Sequence, residues 1–270
     1  MSVQGMRFVI TGSGSGIGAA TAQVAAAKGA KVMVSDVNDV NGSKVVDGIR
    51  KLGGTAEFFH CDVTKPVEVE ALMRATADAF GGIDVLHNNA GIHETALAAA
   101  DKCDVENMPL DVFRKVIEVN AVAPWVCTKY AVPHLKKSSN ASIINAASTG
   151  SQAGYPNNSA YGTSKGGIRL QTQNLAVDLA KFGIRVNCYG PTAIATEMVT
   201  NFVKQSPDPA AFEKALTSTA LIPRLGKPEE VAELVCFLAS KESAFINAAY
   251  ILIDGGSLAW RGSAEQIGLS

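Results

Sequence analysis

Short runs of β-branched and aromatic residues alternate along the chain with longer, alanine-rich amphipathic segments. Seven runs have the length and composition of buried strands, at 8–11, 31–35, 56–61, 84–87, 142–145, 184–189 and 250–253. The segments between them favour helices, at 17–28, 43–52, 67–80, 110–135, 161–182 and 229–239. Proline near helix starts (Pro66, Pro228) and glycine just past helix ends (Gly29, Gly81) support these boundaries.

The repeated β-α-β order predicts one fold class. Parallel neighbours in a sheet need crossover connections, and helices in those crossovers cover both faces of the sheet. We therefore expect an α/β protein with a doubly wound parallel sheet of about seven strands, formed by a single domain over residues 1–270. Ligands of such sheets bind beyond the carboxyl ends of the strands, so the residues after each strand are the candidates for chemistry.

Composition and charge exclude several functional classes. Hydrophobic residues make up 47% of the 270 residues and charged residues 18%, which excludes a disordered or collagen-like chain. With 24 basic and 25 acidic residues the net charge is −1, so we expect neither nucleic acid nor a membrane as a partner. Five cysteines without a C-x-x-C spacing favour a reducing compartment, and a strand-like run begins at Arg7. We expect a cytoplasmic protein without a signal peptide.

A glycine-rich loop, Thr11-Gly-Ser-Gly-Ser-Gly-Ile-Gly18, follows the first predicted strand. Glycines let the backbone turn tightly and approach a pyrophosphate, whose charge is favoured by the next helix N-terminus. Asp36 ends the second strand, where a carboxylate accepts hydrogen bonds from the ribose hydroxyls of an adenine dinucleotide. The candidate cofactor residues here are Gly12, Ser15, Gly16, Ile17, Gly18 and Asp36. An ordinary flexible loop is the alternative for the glycines alone.

The residues around Asp36 also indicate which dinucleotide binds. A 2′-phosphate on the ribose would face the Asp36 carboxylate. Its neighbours in sequence, Val37 and Asn38, and the loop serines Ser13 and Ser15 include no arginine or lysine. We therefore expect NAD rather than NADP.

Tyr161 and Lys165 form a Y-x-x-x-K pair, which places both side chains on one helix face. The pair comes at the end of a 27-residue stretch, 138–164, that contains no charged residue and no histidine. In such surroundings the ammonium group is expected to lower the pKa of Tyr161 below about 10, so that the phenol can exchange a proton with an alcohol. Ser148 follows the fifth predicted strand and is placed to bind the same oxygen. A surface tyrosine beside a solvated lysine is the alternative.

These motifs, in this order, resemble those of the short-chain dehydrogenase/reductase family over nearly the whole chain. The residues that carry the resemblance are the loop at 11–18, Asp36, Asp62-Val63, Asn88-Asn89-Ala90-Gly91, Asn120, Ser148, Tyr161 with Lys165, the run 224–231 and Asp254-Gly-Gly256. The resemblance implies a Rossmann-type fold and hydride transfer between a nicotinamide and an alcohol or carbonyl carbon. It also implies a homo-oligomer, expected to be a tetramer, which agrees with the apolar character of 110–135 and 161–182 on more than one face.

The resemblance also implies roles for single residues. Tyr161 would be the acid/base, Ser148 would orient the substrate oxygen, and Lys165 would bind the nicotinamide ribose and lower the tyrosine pKa. Asn120 would anchor a water that links Lys165 to solvent. The remaining cofactor contacts would come from Asp62 and Val63 at the adenine, Asn89 and Gly91 at the ribose, and Pro191, Ile194 and Thr196 at the carboxamide. A structural turn that ends the fourth strand is the alternative for 88–91.

Two segments depart from the family pattern, and both concern the substrate. Thr192 stands where a glycine is usual, and the segment 92–109, with His93 and Cys103, is long enough to be a surface insertion near the substrate mouth. Segment 192–224 is expected to be a lid with a short helix at 210–216. The candidate pocket residues are Gln152, Tyr155, Pro191, Met198 and Phe202. Because none of them is basic, we expect a neutral, lipophilic secondary alcohol or ketone.

Four other functions fit the same residues less well than a dehydrogenase does. A serine hydrolase needs a histidine after Ser148 in chain order, and all four histidines precede it. Metal-dependent alcohol oxidation lacks zinc-ligand spacing, so no metal is expected. A ketoacyl-thioester reductase would normally use NADPH. A non-catalytic dinucleotide sensor would lack one or more of the four acid/base residues, which are all present.

Overall fold

Seven strands form one parallel sheet in a computed structural model that describes residues 2–260 and 262–268. The strands are β1 (Arg7–Thr11), β2 (Lys31–Asp36), β3 (Thr55–His60), β4 (Val85–Asn88), β5 (Ser142–Ala146), β6 (Arg185–Pro191) and β7 (Tyr250–Ile253). Their order in the sheet is β3-β2-β1-β4-β5-β6-β7, and each neighbouring pair is parallel. Successive strands are added in one direction from β1 to β3 and in the opposite direction from β4 to β7. Doubly wound sheets bind ligands at this switch point, between β1 and β4. The predicted fold class is confirmed.

Helices cover both faces of this sheet. They are α1 (Gly16–Ala27), α2 (Asp39–Lys51), α3 (Pro66–Phe80), α4 (Leu110–Ile117), α5 (Ala123–Leu135), α6 (Ser159–Leu179), α7 (Glu197–Gln205), α8 (Pro209–Thr217) and α9 (Pro228–Ala239). Short 3-10 turns occur at Glu94–Ala96, Ala100–Lys102, Thr149–Ser151, Ala180–Phe182, Lys241–Ser243 and Ala264–Ile267. One hydrophobic core packs α1, α2 and α9 on the sheet, and a second packs α3, α5 and α6 on the other face. Within the described residues, no helix combines the length and the apolar character needed to cross a membrane.

The predicted continuous helix at 110–135 is wrong in one respect, because a π-helical turn at Glu118–Val122 separates α4 from α5. Pro124 explains the interruption. It has no N–H to donate to the carbonyl of Asn120 four residues earlier, so regular α-helical bonding cannot continue through this point. Asn120 lies in this turn and is buried, at 1% exposure.

The segment predicted as a lid contains two helices rather than one short patch. The helix expected at 210–216 is present as α8, and the side chain of Asp208 caps it by accepting the N–H of Ala211 at 3.0 Å. Helix α7 was not predicted. Its apolar residues Met198 and Phe202 are four positions apart, so they share one helix face, but the neighbouring prolines at 207 and 209 indicated a loop.

Candidate active site

The glycine loop lies directly against the turn that follows β4. Gly12 has a φ of +62°, and a Cβ there would lie 2.7 Å from Cα of Ala90. A Cβ on Gly18 would lie 2.3 Å from the carbonyl oxygen of Gly12. The side chain of Asn89 donates hydrogen bonds to the carbonyls of Thr11 and Gly12, at 3.0 and 2.8 Å. The loop therefore keeps its backbone bare at the start of α1, where a pyrophosphate fits, and Asn89 holds the loop in this shape.

Asp36 stands at the carboxyl end of β2, beside this loop. Its Oδ2 accepts the N–H of Gly14 at 2.8 Å, and its Oδ1 accepts the N–H of Asn38 at 2.9 Å. A Cβ on Gly14 would lie 3.0 Å from the carboxylate, so glycine allows this close approach. Each carboxylate oxygen can still accept a further hydrogen bond. The arrangement suits a ligand that presents a pair of hydroxyl groups.

Asp62 and Val63 follow β3 on the same edge of the sheet. Asp62 accepts hydrogen bonds from the N–H and the hydroxyl of Thr64, at 3.0 and 2.7 Å. Burial acts to raise the pKa of Asp62, but the hydrogen bonds from Thr64 outweigh it, and the pKa is lowered. Val63 is buried in the core beneath α3 and α5. The carboxylate of Asp62 is thus kept ionised by its own turn.

Asn120 links three parts of the site. Its Oδ1 accepts the N–H of Ile92, and its Nδ2 donates to the carbonyl of Ile92, both at 2.8 Å. The same Nδ2 donates to the hydroxyl of Ser164 on α6 at 3.0 Å. A Cβ on Gly91 would lie 3.3 Å from Oδ1 of Asn120 and 3.4 Å from Nζ of Lys165. Asn120, Gly91 and Lys165 therefore meet at one point beyond the end of β4.

Lys165 is buried, at 4% exposure, and its ammonium group faces the interior of the site. Nζ donates a hydrogen bond to the carbonyl of Ala146 at 2.7 Å and lies 5.5 Å from the ring centroid of Tyr161. Burial lowers the pKa of Lys165 to about 8. The helical spacing that predicted the pair is confirmed as a contact, and the alternative of a solvated surface pair is wrong.

Ser148 is fixed from two sides. Its Oγ accepts the N–H of Gly150 at 3.1 Å, and its carbonyl accepts the hydroxyl of Tyr250 at 2.8 Å. A Cβ on Gly190 would lie 2.2 Å from that hydroxyl, so glycine in β6 makes room for Tyr250. Sequence reasoning missed Tyr250, which holds the backbone of Ser148 from the edge strand β7.

The expected lowering of the Tyr161 pKa is not what the folded chain shows. Burial raises the pKa of Tyr161 to about 12; the hydrogen bond with Ser148 lowers it, and the nearby charge of Glu94 raises it. Because its pKa is raised to about 12, the tyrosine in the chain alone is a neutral phenol at pH 7. A further positive charge at the site is needed to favour the phenolate.

The residues predicted to meet a carboxamide approach the glycine loop from β6. A Cβ on Gly16 would lie 3.3 Å from Cγ2 of Thr196. Ile194 forms a parallel backbone bridge with Gly226, and the side chain of Ile194 leaves no room for a Cβ there. The ion pair of Arg224 with Glu230, at 2.6 Å, fixes the start of α9 beside this bridge. Pro191 ends β6 and leads into this segment.

The segment 92–109 is exposed over much of its length, but its first residues pack inside the candidate site. His93 packs its ring against Tyr161, with centroids 5.1 Å apart, and against Phe202 of α7, at 4.8 Å. Glu94 and Cys103 are wholly buried. Sequence analysis named His93 as part of a segment near the substrate mouth, but it did not single out Glu94. A signal was present in the chain, since both residues directly follow the Asn88–Gly91 motif at the end of β4.

A cavity of about 630 Å³ lies between this segment and the loop before α6. Gln152 and Tyr155 line it, as predicted for the pocket, together with Val105. Asn158 and other small polar residues also line it, so this cavity is more polar than expected. Met198 and Phe202 belong to α7 and do not line it. Of the predicted pocket residues, Gln152 and Tyr155 thus line the cavity, whereas Phe202 contacts His93 from α7.

Cys103 lines this cavity as well. The five cysteines are free and buried. Among the residues that the structure describes, no group of three or more histidine, cysteine or acidic side chains is placed to hold a metal ion.

Comparison with known proteins gives consistent relatives. The family model described as enoyl-(acyl carrier protein) reductase matches residues 12–257. The chain is 38% identical over 259 residues to an uncharacterized oxidoreductase of Thermotoga maritima, covering 96% of this chain and 100% of that protein. It is 36% identical over 248 residues to cis-4-hydroxycyclohexanecarboxylate dehydrogenase of Sinomonas cyclohexanicum, covering 92% and 94%. The crystal structure of levodione reductase superposes with a TM-score of 0.89 at 32% identity, covering 95% of this chain and 99% of that one.

Proposed function

Because the chain belongs to the short-chain dehydrogenase/reductase family, we propose that it transfers a hydride between NAD and a neutral, cyclic secondary alcohol or ketone. The observation that carries the proposal is the convergence of Ser148, Tyr161 and Lys165 at the carboxyl end of β5. These residues lie beside the glycine loop that follows β1, across the point where the sheet order reverses. This is the place where such sheets bind dinucleotides.

The residues present fit a nicotinamide dinucleotide. The bare loop Gly12–Gly18, with Ser15 and Ile17 at the start of α1, would hold the pyrophosphate. Asp36 would bind the adenosine ribose, while Asp62 and Val63 would lie at the adenine. Asn89 and Gly91 would line the far ribose with Tyr161 and Lys165. Pro191, Ile194 and Thr196 would meet the carboxamide. When bound, the nicotinamide supplies the hydride acceptor or donor and, in its oxidised form, a positive charge.

Tyr161 would carry the proton in this reaction. In alcohol oxidation its phenolate would take the hydroxyl proton as the hydride leaves the carbinol carbon, and in reduction the phenol would return it. Ser148, held by Gly150 and Tyr250, would donate its hydroxyl hydrogen to the same substrate oxygen and so orient it. The hydrogen bond with Ser148 already favours the phenolate in the chain alone.

Lys165 would act on both cofactor and tyrosine. Its ammonium group, 5.5 Å from the Tyr161 ring, favours the phenolate, and its remaining N–H groups can donate to ribose hydroxyls. Asn120 would hold the water through which Lys165 reaches solvent, because Pro124 leaves its carbonyl without the usual helical donor. The side chain of Asn120 is already fully used in positioning Ile92 and Ser164.

The substrate class follows from the wall around Tyr161. His93 and Phe202 present aromatic rings beside the phenol, and among the described residues no lysine or arginine lines the cavity between the segments 103–105 and 150–163. A neutral ring-bearing alcohol fits such a wall better than a carboxylate or a phosphate ester. The name of one relative, a hydroxycyclohexanecarboxylate dehydrogenase, supports a cyclic substrate.

A panel of neutral cyclic alcohols, assayed with NAD and with NADP at the nicotinamide absorbance, tests this proposal. Oxidation of at least one alcohol with NAD, abolished in Tyr161→Phe, is expected. Asp36→Ala should narrow the preference for NAD over NADP by about tenfold or more, because the variant removes the charge that repels a 2′-phosphate. The exposed Asp47→Ala on α2 is the matched control. Equal kcat/KM for both cofactors in the natural chain would overturn the assignment of NAD.

A second candidate function is reduction of an acyl thioester, which the description of the matching family model favours. Such an enzyme would normally take NADPH, which the Asp36 carboxylate disfavours. The same assay decides, when an enoyl and a ketoacyl thioester are added with NADH and NADPH. Turnover of a thioester with NADPH and none of any cyclic alcohol would favour this second function.

We also propose a homotetramer that works in the cytoplasm. Apolar side chains stay exposed on α5 and α6, among them Trp125 at 48%, Leu170 at 60% and Val177 at 76%. Faces of this kind are expected to pack against another copy of the chain. The segment 192–224, with α7 and α8, is proposed to act as a lid over the substrate.

A further inference from the structure

Glu94 is a carboxylate in an unusual position. It lies in the turn Glu94–Ala96 that follows β4, and its side chain is wholly buried. The proposed hydride and proton transfer gives no role to an acid at this position. Burying a carboxylate is costly unless a donor compensates it, so its partners indicate what it does.

The compensating donor is the backbone of the proposed acid/base residue. The N–H of Tyr161 donates to both oxygens of Glu94, at 3.4 and 3.2 Å. Tyr161 lies in the first turn of α6, where backbone N–H groups have no partner inside the helix. The carboxylate therefore accepts from the positive end of the helix, which stabilises a negative charge.

The capping residue of α6 is occupied elsewhere. Asn158 precedes the helix, and its side chain makes no capping hydrogen bond. Its Oδ1 accepts instead the Nε2–H of His93 at 2.9 Å, while Nδ1 of His93 accepts the N–H of Thr95 at 3.2 Å. Glu94 thus caps α6 in place of Asn158, although it belongs to a different segment. The same segment is bound to Asn120, because the N–H of Ile92 donates to Oδ1 of Asn120.

Few charges face Glu94. From its own segment Nδ1 of His93 lies 3.7 Å away, and burial lowers the pKa of His93 against the opposing effects of Glu94 and Asn158. Cys103 is the next titratable group, and burial followed by the charge of Glu94 raises its pKa. From α6 the facing group is Tyr161, with Lys165 beyond its ring. The charged residues of α4 and α7 are exposed: Asp111, Arg114, Lys115, Glu197 and Lys204. Within the described residues, no lysine or arginine forms an ion pair with Glu94.

We propose that Glu94 is a positioning residue for the proposed hydride-transfer reaction, which fixes the first turn of α6 through the Tyr161 N–H and adjusts the proton affinity of the Tyr161 hydroxyl by its charge. The inference rests on the proposed function, since Tyr161 must carry the proton for the second effect to matter. The charge of Glu94 opposes the phenolate, so it keeps the proton on Tyr161, as carbonyl reduction requires.

Two substitutions separate the two effects. Glu94→Gln keeps an oxygen that can accept the Tyr161 N–H and removes the charge, whereas Glu94→Ala removes both. Glu106→Gln, at an exposed acid of the same segment, is the matched control. Each protein is measured for kcat and KM of alcohol oxidation from pH 6 to 10, and for amide hydrogen exchange of the peptides that cover 159–165.

Glu94→Gln is expected to shift the rising limb of the kcat profile to lower pH by about half a unit and to leave exchange unchanged. Glu94→Ala is expected to lower kcat about tenfold, to change KM for NAD less than twofold and to speed exchange at the start of α6. If Glu94→Ala fails to fold, the pH profile of Glu94→Gln decides the proposal. A profile for Glu94→Gln that coincides with those of the natural chain and Glu106→Gln overturns it.

The two proposals fail in distinguishable ways. Activity of the natural chain with an alcohol, together with unaffected Glu94 variants, would overturn only the role of Glu94. Absence of alcohol oxidation in the natural chain would overturn the proposed function. Hydrogen exchange would then still test whether Glu94 holds the first turn of α6, and unchanged exchange in Glu94→Ala would overturn that part as well.

Discussion

At the scale of single residues, the proton affinity of Tyr161 is set by opposing neighbours. Burial and the charge of Glu94 favour the neutral phenol, whereas Ser148 and any added cation favour the phenolate. With its pKa raised to about 12 in the chain alone, the phenolate is scarce at neutral pH. In the proposed mechanism the positive charge of oxidised nicotinamide would therefore favour the phenolate in addition to the charge of Lys165.

Alcohol oxidation should accordingly rise with pH. In the proposed mechanism the Tyr161 phenolate is the reactive form, so below the operative pKa each added pH unit increases its fraction up to about tenfold. Carbonyl reduction uses the protonated phenol and should be flat near neutral pH and fall at alkaline pH. Tyr161→Phe should lower kcat about 10³-fold in both directions and change the Kd for NAD less than about threefold. Steady-state assays from pH 6 to 10 and a fluorescence titration of NAD measure these effects; a variant that keeps a tenth of kcat would show that another group carries the proton.

Burial of the charged Lys165 lowers the stability of the folded chain. Its pKa falls from 10.5 to about 8, so between these values the unfolded chain binds the proton and the folded chain does not. The stability of the natural chain should therefore rise with pH across this window, and the cost is fully present below pH 8. Lys165→Met removes the charge and loses one hydrogen bond to Ala146, so it should raise the free energy of unfolding at pH 7 by about 2 kcal/mol while abolishing activity.

Urea unfolding at pH 7 and at pH 9.5 measures this difference. The difference in the free energy of unfolding between Lys165→Met and the natural chain should be smaller at pH 9.5, because the natural chain no longer buries a charged lysine there. The exposed Lys44→Met on α2 should show no gain at either pH. A Lys165→Met chain less stable than the natural one at pH 7 would mean that the ammonium group stabilises the fold.

Much of the residue-level site could be predicted from local spacing. The i, i+4 pair of Tyr161 and Lys165 and the loop glycines follow from helix geometry and from turns that reject a Cβ. The pKa of Tyr161 could not be predicted, because it depends on burial and on Glu94, which lies 67 positions away in sequence. Tyr250 was missed for the same reason, since only the pairing of β6 with β7 brings it to Ser148.

At the scale of elements, the structure shows where periodicity fails. The hydrophobic pattern of 110–135 is continuous, but Pro124 removes one backbone donor and a π turn takes its place. That turn carries Asn120, so the irregularity and the candidate function coincide. Helix α7 was missed because the prolines that follow it outweighed a short amphipathic pattern. Both errors concern elements that contact the site.

Helix α7 should respond to ligands. It is joined to the site through the contact of Phe202 with His93, at 4.8 Å between ring centroids. Binding of NAD with an unreactive cyclic ketone should slow amide exchange in 197–217 about tenfold, while α9 peptides stay unchanged because α9 is already buried in the core. Phe202→Ala should weaken the effect and raise KM for the alcohol about fivefold. Protection of the glycine loop without protection of α7 would argue against a lid.

At the scale of the whole molecule, the doubly wound parallel sheet could be predicted because β-α-β repetition requires right-handed crossover connections, whereas the order of the strands comes from the structure. The order β3-β2-β1-β4-β5-β6-β7 places the ends of β1, β4 and β5 side by side. Gly12 and Tyr161, which are 149 positions apart in sequence, therefore lie at the same end of the sheet. The wall of the substrate site could not be predicted in this way, because it comes from loops whose path the sheet does not fix.

The exposed apolar residues of α5 and α6 remain to be explained at this scale. Leu170 and Val177 are two helical turns apart and thus share one side of α6, and they are 60% and 76% exposed. If this side packs on another copy, a charge there should divide the assembly. Light scattering at micromolar concentration should give four times the chain mass of 28.1 kDa for the natural protein, and a smaller mass for Leu170→Glu combined with Val177→Glu. Val40→Glu, at an equally exposed site on α2, should keep the full mass. A monomeric natural chain, or a double variant that still forms a tetramer, would show that Leu170 and Val177 face solvent and not another copy of the chain.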